Sequence, residues 1–266
     1  GTGKPYEGEL NAGRGPIWAD MSWGTDEDQE YMKWAVTQEG LGAAFLHIMD
    51  QYGLDFRKHK IETWPIEPEH SAGGACGPIV DKTAQTTIPG LFAAGDEAGG
   101  VPGSTAPGAI TMGHLSGESA VEYSKNISSI PVGKGEKEIE DFCNQILSRN
   151  GGDHWKDAQL NIHNIMSDYN VDRRSETMAA RGLECLEYLK NTMKLSADNP
   201  HDMTHCLEMR SLIDTGQIIF RSTIERTESR PPLFKRLDCP EQDDANWFCF
   251  LGQRKERDSI IFEKHK

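Results

Sequence analysis

The chain has 266 residues, enough to bury a substantial core in one large domain or two smaller ones, which excludes a minimal disulfide scaffold. Against 42 acidic residues stand 28 lysines and arginines, and the resulting charge of -14 repels phosphate backbones and anionic headgroups, arguing against a nucleic-acid partner. Only 36% of the residues are hydrophobic, no run approaches the roughly eighteen apolar residues of a membrane helix, and the 6 cysteines show no CxxC spacing for zinc or an iron–sulfur cluster.

From the N-terminus, GRGPIWADMSW reads as one short strand around Ile17 to Asp20 between turns. An acidic start at Asp26 leads into a long helical pattern in which Tyr31, Trp34, Ala35, Leu41, Phe45, Ile48 and Met49 share a face; it predicts a helix of about six turns, bent near Gly40 and Gly42. Residues 61–107 carry most of the glycine and proline punctuation, with short strand-like runs at Gly77–Asp81 and Gly90–Ala94. A helix of about four turns follows over Gly108–Tyr123. A Gly-Lys-Gly linker at 133–135 opens an all-helical region predicted at Glu136–Arg149, Asp153–Tyr169, Ser175–Met193 and Pro200–Arg226, the third showing Leu183, Leu186, Leu189 and Met193 as a bundle stripe. The last forty or so residues read as an extended tail with strands at Trp247–Gly252 and Ser259–Glu263.

The segment richest in chemical information is TTIPGLFAAGDEAGGVPGSTAPGAITMGHLSG, in which a small, apolar strand runs through Gly95-Asp96 into a glycine-rich loop and then a helix. An acidic residue at a strand's C-terminal end suits a sugar or ribityl hydroxyl, and a following helix directs unpaired N–H groups and a positive dipole end at an electron-rich ligand. The residues alone leave a second reading open: an ordinary strand-to-helix turn capped by Asp96.

IPGLFAAGDEAGG closely resembles the second FAD-binding segment of the succinate dehydrogenase, fumarate reductase and adenylylsulfate reductase flavoprotein subunits, whose pattern is PGL(Y/F)AAG(D/E). In matching order, GRGPIWADM resembles a strand of that family's capping domain, and RTESRPPLFKRLDCPEQDDANW resembles its C-terminal (K/R)-x-E-(S/T)-R and DDxNW signature. The resemblance implies an α+β fold: residues 1–62 ending a capping domain, 63–130 supplying the second segment of an FAD-binding α/β domain, 131–230 forming a helical bundle domain and 231–266 a short C-terminal β tail. It implies FAD held in part by Gly95, Asp96, Gly99, Gly100, Gly108, Ala109, Ile110 and Thr111, with Asp96 at the ribityl chain and 108–111 at the pyrimidine edge of the flavin. The family's N-terminal GxGxxG unit has no counterpart in these residues. With the non-Met start Gly1-Thr2-Gly3, this leads to the expectation of a C-terminal portion that works with a missing N-terminal FAD-binding half.

His70, in EPEHSAGG, falls where the family places a substrate histidine, and the His70-Ser71 pair is more like the adenylylsulfate reductase pattern than the H-x-x-M-G-G of the dicarboxylate enzymes. It is the catalytic candidate, positioned to donate to a small anionic substrate. Fumarate reductases carry a proton-delivering arginine in G-A-N-R-L-G; the equivalent stretch here has Ala106, although PGAITMGHLSG departs from the adenylylsulfate reductase pattern as well. The resemblance thus implies an adenylylsulfate reductase-like enzyme, in which flavin N5 attacks the sulfate sulfur to yield sulfite and AMP and electrons come from an iron–sulfur partner subunit. The alternatives are a fumarate reductase or succinate dehydrogenase-like flavoprotein and a non-catalytic docking fragment. No export signal is visible and scattered thiols suit a reducing compartment, so the chain is read as cytoplasmic. His201 and His205 share a helical i, i+4 spacing without a third ligand, and no metal site is expected. Arg221, Arg226 and Arg230 lie near a helix end where they could face a partner, while Asp243 and Asp244 could cap a turn or pair with Arg226 and Arg230.

Overall fold

The computed structural model describes residues 9, 12–38, 42–63, 76–100, 104–127, 134–171, 173–231, 234–257 and 259–265. The chain divides into two compact units, Gly1–Ile66 and Glu67–Lys266.

In the first unit, β1 (Ile17–Ala19) pairs antiparallel with β2 (Ile61–Thr63), Ile17 opposite Thr63 and Ala19 opposite Ile61. Helix α1 (Asp26–Gln38) starts at a reciprocal cap: the Asp28 amide donates to Thr25 Oγ1 at 3.2 Å, and the Thr25 amide donates to Asp28 Oδ2 at 2.9 Å. Asp26, Glu27 and Asp28 place three acids against the positive end of its dipole. The described residues of the bent helix expected from the sequence lie in α1 and in α2 (Gly42–Gln51), and residues 39–41 between them lie outside the described residues. Met49 on α2 and Phe56 just beyond it are the buried apolar residues here, with Phe45 meeting Phe56 at 5.9 Å between ring centroids.

The described part of the second unit, from Cys76 onward, begins with turns and single bridges rather than strands. Residues expected as strands at 77–81 and 90–94 make only single bridges, Ile79 with Gly99, Val80 with Thr86 and Gln85 with Phe92. Pro78 and Pro89 lack the N–H that a longer ladder requires. Helix α3 (Ala109–Lys125) follows, then the bundle of α4 (Lys134–Leu147), α5 (Trp155–Tyr169), α6 (Glu176–Thr192) and α7 (Pro200–Glu225). Ser175 caps α6 by accepting from the Met178 amide, and Asn199 caps α7, where Pro200 occupies the first turn. The core is built from Ile146 of α4, Ile162 of α5, Leu186 of α6 and Met209, Ile213 and Phe220 of α7, with Leu183, Leu189 and Met193 of the predicted stripe packed half-buried against it.

The tail is anchored by charge. Strand β3 (Arg173–Arg174) runs parallel to β4 (Lys235–Arg236), α8 (Asp244–Trp247) follows, and β5 (Phe250–Glu256) and β6 (Ser259–His265) form an antiparallel hairpin with Arg257 at φ +55 in the turn. Glu228, with no exposed surface, accepts from Arg226 at 2.6 Å, twice from Arg230 at 2.9 Å and from the Asp243 amide at 2.9 Å. Arg226 also donates to the carbonyls of Trp247 and Cys249, and Arg230 reaches Asp244 at 2.9 Å. Buried Arg236 grips Asp238 with both arms of its fork at 2.7 Å and donates to the carbonyls of Thr223 and Arg226. Arg226 and Arg230 therefore face inward and sew the tail to the end of α7, because a buried guanidinium must spend its donors inside the protein. Asp243 caps α8 by accepting from the Asn246 amide at 3.1 Å.

Candidate functional site

Gly95, Asp96 and Glu97 form a single 3-10 turn, closed by the Ala98 amide donating to the Gly95 carbonyl at 3.1 Å. Three close approaches hold this turn. Gly95 sits at φ +67, and a Cβ there would lie 3.2 Å from the Cβ of Ala109, so the turn rests directly on the first residue of α3. Gly77, at φ +152, crosses beneath Glu97, where a side chain would overlap the Glu97 carbonyl. A Cβ on Gly99 would lie 2.5 Å from the Gly77 carbonyl oxygen, and the Gly99 amide donates to the Pro78 carbonyl at 3.0 Å. Upstream, the Asp81 carboxylate ties a second turn by accepting from the Thr83 amide and hydroxyl and the Gln85 amide, and the Thr83 hydroxyl first among these holds its pKa below the ordinary value.

Asp96 is exposed and makes no hydrogen bond or ion pair with the other described residues. Its side chain does not cap the turn, since the turn's bond is backbone to backbone. Gly100, at φ +80, faces open space.

The helix entry differs from the sequence expectation. Ser104–Gly108 is one turn of π-helix, Gly108 has helical angles of φ -64 and ψ -43, and the run continues into α3 without a side-chain cap. Thr111 Oγ1 donates to the Pro107 carbonyl at 2.9 Å. The helical dipole thus starts a turn earlier than Gly108, because Pro107 has no N–H and its pre-set φ suits a first turn. Ala109, Ile110 and Thr111 are exposed, Ile110 at 74%, and Gly113 and Gly117 further along α3 meet nothing within 4 Å. At its far end, α3 is seated by Tyr123, whose ring meets Phe92 edge-on at 6.0 Å and covers Gly90.

The structure therefore brings Gly95, Asp96, Gly99 and Ala109 together around one turn, with Ile110 and Thr111 on the adjoining helical turn and Gly100 open beside it. An unspent carboxylate, a helical positive end and glycines whose missing side chains leave space suit a hydroxyl-rich, electron-rich ligand, and FAD fits that donor set. His70 lies outside the described residues. The Glu228 network was absent from the sequence candidates as a unit, although its residues stand in the RTESR and DDANW segments singled out there.

Residues 159–261 match the family model described as fumarate reductase flavoprotein C-term. An uncharacterized FAD-dependent oxidoreductase of Methanocaldococcus jannaschii is 25% identical over 196 residues, covering 71% of this chain and 35% of that protein. The fumarate reductase flavoprotein subunit of Haemophilus influenzae is 26% identical over 204 residues, covering 70% of this chain and 33% of that protein. The chain thus spans about a third of the length of these curated relatives. Among solved structures, quinol fumarate reductase of E. coli matches with a TM-score of 0.77 at 18% identity, over 98% of this chain and 47% of that one. Adenylylsulfate reductase of Archaeoglobus fulgidus matches with a TM-score of 0.74 at 22% identity, over 96% of this chain and 48% of that one. No helix among the described residues is long and apolar enough to cross a membrane. Residues 159–261 are thus similar to the fumarate reductase flavoprotein C-terminal domain, and the chain has the fold of the corresponding part of the fumarate reductases and adenylylsulfate reductases.

Proposed function

We propose that this chain is the C-terminal portion of an FAD-dependent oxidoreductase subunit, adenylylsulfate reductase-like in its substrate, that works in the cytoplasm. An N-terminal half supplies the GxGxxG unit, and an iron–sulfur subunit exchanges electrons with it. The observation that carries the reading is the turn at Gly95–Glu97: it holds an unpartnered Asp96 carboxylate against the start of a long helical run, positioned by close approaches at Gly77, Gly95 and Gly99. FAD bound there supplies reversible two-electron chemistry. Asp96 accepts hydrogen bonds from ribityl hydroxyls, and the helical run from Ser104 stabilises negative charge at its N-terminal end. Gly100, Gly113 and Gly117 leave room for close approach. His70 orients the anionic substrate by donating a hydrogen bond. All 6 cysteines are free thiols, in keeping with a reducing compartment.

Ala106 in place of the proton-delivering arginine and the His70-Ser71 pair favour adenylylsulfate over a dicarboxylate. A fumarate reductase-like activity is the second reading, favoured by the Haemophilus influenzae relative. The two separate in one experiment on the flavin-loaded, complete protein: sulfite added alone bleaches the flavin absorbance if the substrate is adenylylsulfate, and turnover follows adenylylsulfate rather than fumarate. Turnover of fumarate without sulfite bleaching overturns the first reading in favour of the second, and absence of bound flavin overturns both.

A further inference from the structure

The end of the bundle where α5 and α7 begin gathers aromatic and imidazole rings that the flavin reading does not use. Trp155, the first residue of α5, stacks on the His205 ring with centroids 3.9 Å apart and planes 21° from parallel, and its Nε1 donates to Asp202 Oδ1 at 3.0 Å. His205 is therefore held face-on by an indole that is itself hydrogen-bonded in place. Its Nδ1 lies 2.6 Å from Glu208 Oε2. An ionised carboxylate only accepts, so Nδ1 carries the proton and Nε2 presents its lone pair. That Nε2 lies 3.2 Å from the Nε2 of His201, one helical turn earlier.

We propose that His201 and His205 bind a divalent transition-metal ion, zinc, copper or nickel, through their two Nε2 atoms. Metal–imidazole bonds of about 2.0–2.1 Å place two adjacent ligand nitrogens about 2.9 to 3.4 Å apart, from square to tetrahedral geometry. The separation of 3.2 Å falls inside that window. Glu208 behind His205 supplies the carboxylate–histidine arrangement that fixes the tautomer and raises the basicity of a ligating imidazole. In the metal-free protein His201 Nε2–H donates to His205 Nε2. On binding, His201 moves its ring proton from Nε2 to Nδ1 by exchange with water, both Nε2 lone pairs go to the ion, and no net proton is released. His201 is exposed, so the ion enters from solvent. The oxygens of Asp202 are engaged by Trp155 Nε1 and Asn199 Nδ2, and no third His, Cys, Asp or Glu joins the pair among the described residues, so water fills the remaining positions.

The test is a titration of the full chain with copper(II) alone and, separately, zinc alone. Copper is expected to bind one to one, to quench the fluorescence contributed by Trp155 through its stack on His205, and to show two nitrogen ligands by electron paramagnetic resonance. Zinc is expected to raise the melting temperature. His201→Ala and His205→Ala each weaken binding by at least about tenfold, and Glu208→Gln, which keeps both ligands, weakens it by about ten- to hundredfold. Because His201 and Glu208 are solvent-facing, the His201→Ala and Glu208→Gln variants retain the fold, which circular dichroism verifies. Equal copper affinity in the His201→Ala/His205→Ala double variant, or no saturable binding by the unaltered chain, overturns the proposal.

Discussion

Asp96 and Glu228 are both acidic residues in glycine- or arginine-rich surroundings, and their environments assign them opposite tasks. Asp96 is exposed and unspent, while Glu228 is wholly buried with every lone pair engaged. Asp96→Ala is expected to weaken FAD binding by some tens-fold or more, the effect of losing about two charge-assisted hydrogen bonds, and to leave the melting temperature within a degree. A flavin titration and a melting curve on the complete protein check both; a drop in stability with intact affinity would return Asp96 to a turn-forming role. For Glu228, burial pushes the pKa up, but the guanidinium donors of Arg226 and Arg230 and the Asp243 amide outweigh it and the net shift is downward. The Arg236 fork, joined by the Glu176 amide, likewise holds Asp238 far below the carboxylate range. Both groups have depressed folded-state pKa values, so their stabilisation is complete above the unfolded carboxylate values of about 4 and is lost as pH falls through the folded ones. Calorimetry should show a melting temperature nearly level from about pH 7 to 5 and falling below about pH 4. Asp238→Asn should lower it at neutral pH and flatten the acid limb. An unchanged acid limb would mean that the Arg236–Asp238 fork does not govern acid stability.

At the scale of elements, the bundle helices lie within two residues of their predicted bounds, because Ser175, Asn199 and Pro200 mark starts and leucine spacing marks faces. Helix pairing is decided by small residues. A Cβ on Gly182 of α6 would come within 2.7 Å of the Phe220 ring of α7, and one on Gly216 of α7 would come within 2.7 Å of Leu186. Gly182→Ala removes a flexible helical glycine, a gain of up to about 1 kcal/mol, but forces the α6–α7 contact apart at about 1–3 kcal/mol, and packing wins. Urea unfolding should show a net loss of about 1–2 kcal/mol; a more stable Gly182→Ala protein would mean that the two helices can separate at little cost. The strands expected at 77–81 and 90–94 differ, because Pro78 and Pro89 withhold the N–H donors that a longer ladder requires.

At the scale of the molecule, the chain covers about a third of the length of the curated relatives described above, and its sequence carries no GxGxxG motif after an early strand. Within the proposed function, the pyrophosphate of FAD is held by the GxGxxG unit of the N-terminal half. The chain expressed alone is therefore expected to purify with well under one flavin per molecule, measured by absorbance after denaturation. A stoichiometric, tightly held flavin would overturn the need for a second half.

The sequence by itself determined the helical bundle and marked the glycine-rich turn at Gly95–Glu97 before a helix, because periodicity, caps and turn residues are local properties of the chain. The tertiary structure decided what each charged or aromatic side chain does. Arg226 and Arg230, which the sequence left between a partner face and a pairing with Asp243 and Asp244, prove with Arg236 to be internal fasteners, Arg230 pairing with Asp244, and the i, i+4 histidines gain their stacked indole and oriented tautomer only when Trp155, 46 positions before His201, is brought beside them. Such contacts join residues far apart in sequence, and no local pattern encodes which of them will meet; burial and the need to satisfy every buried donor select the partners once the helices pack.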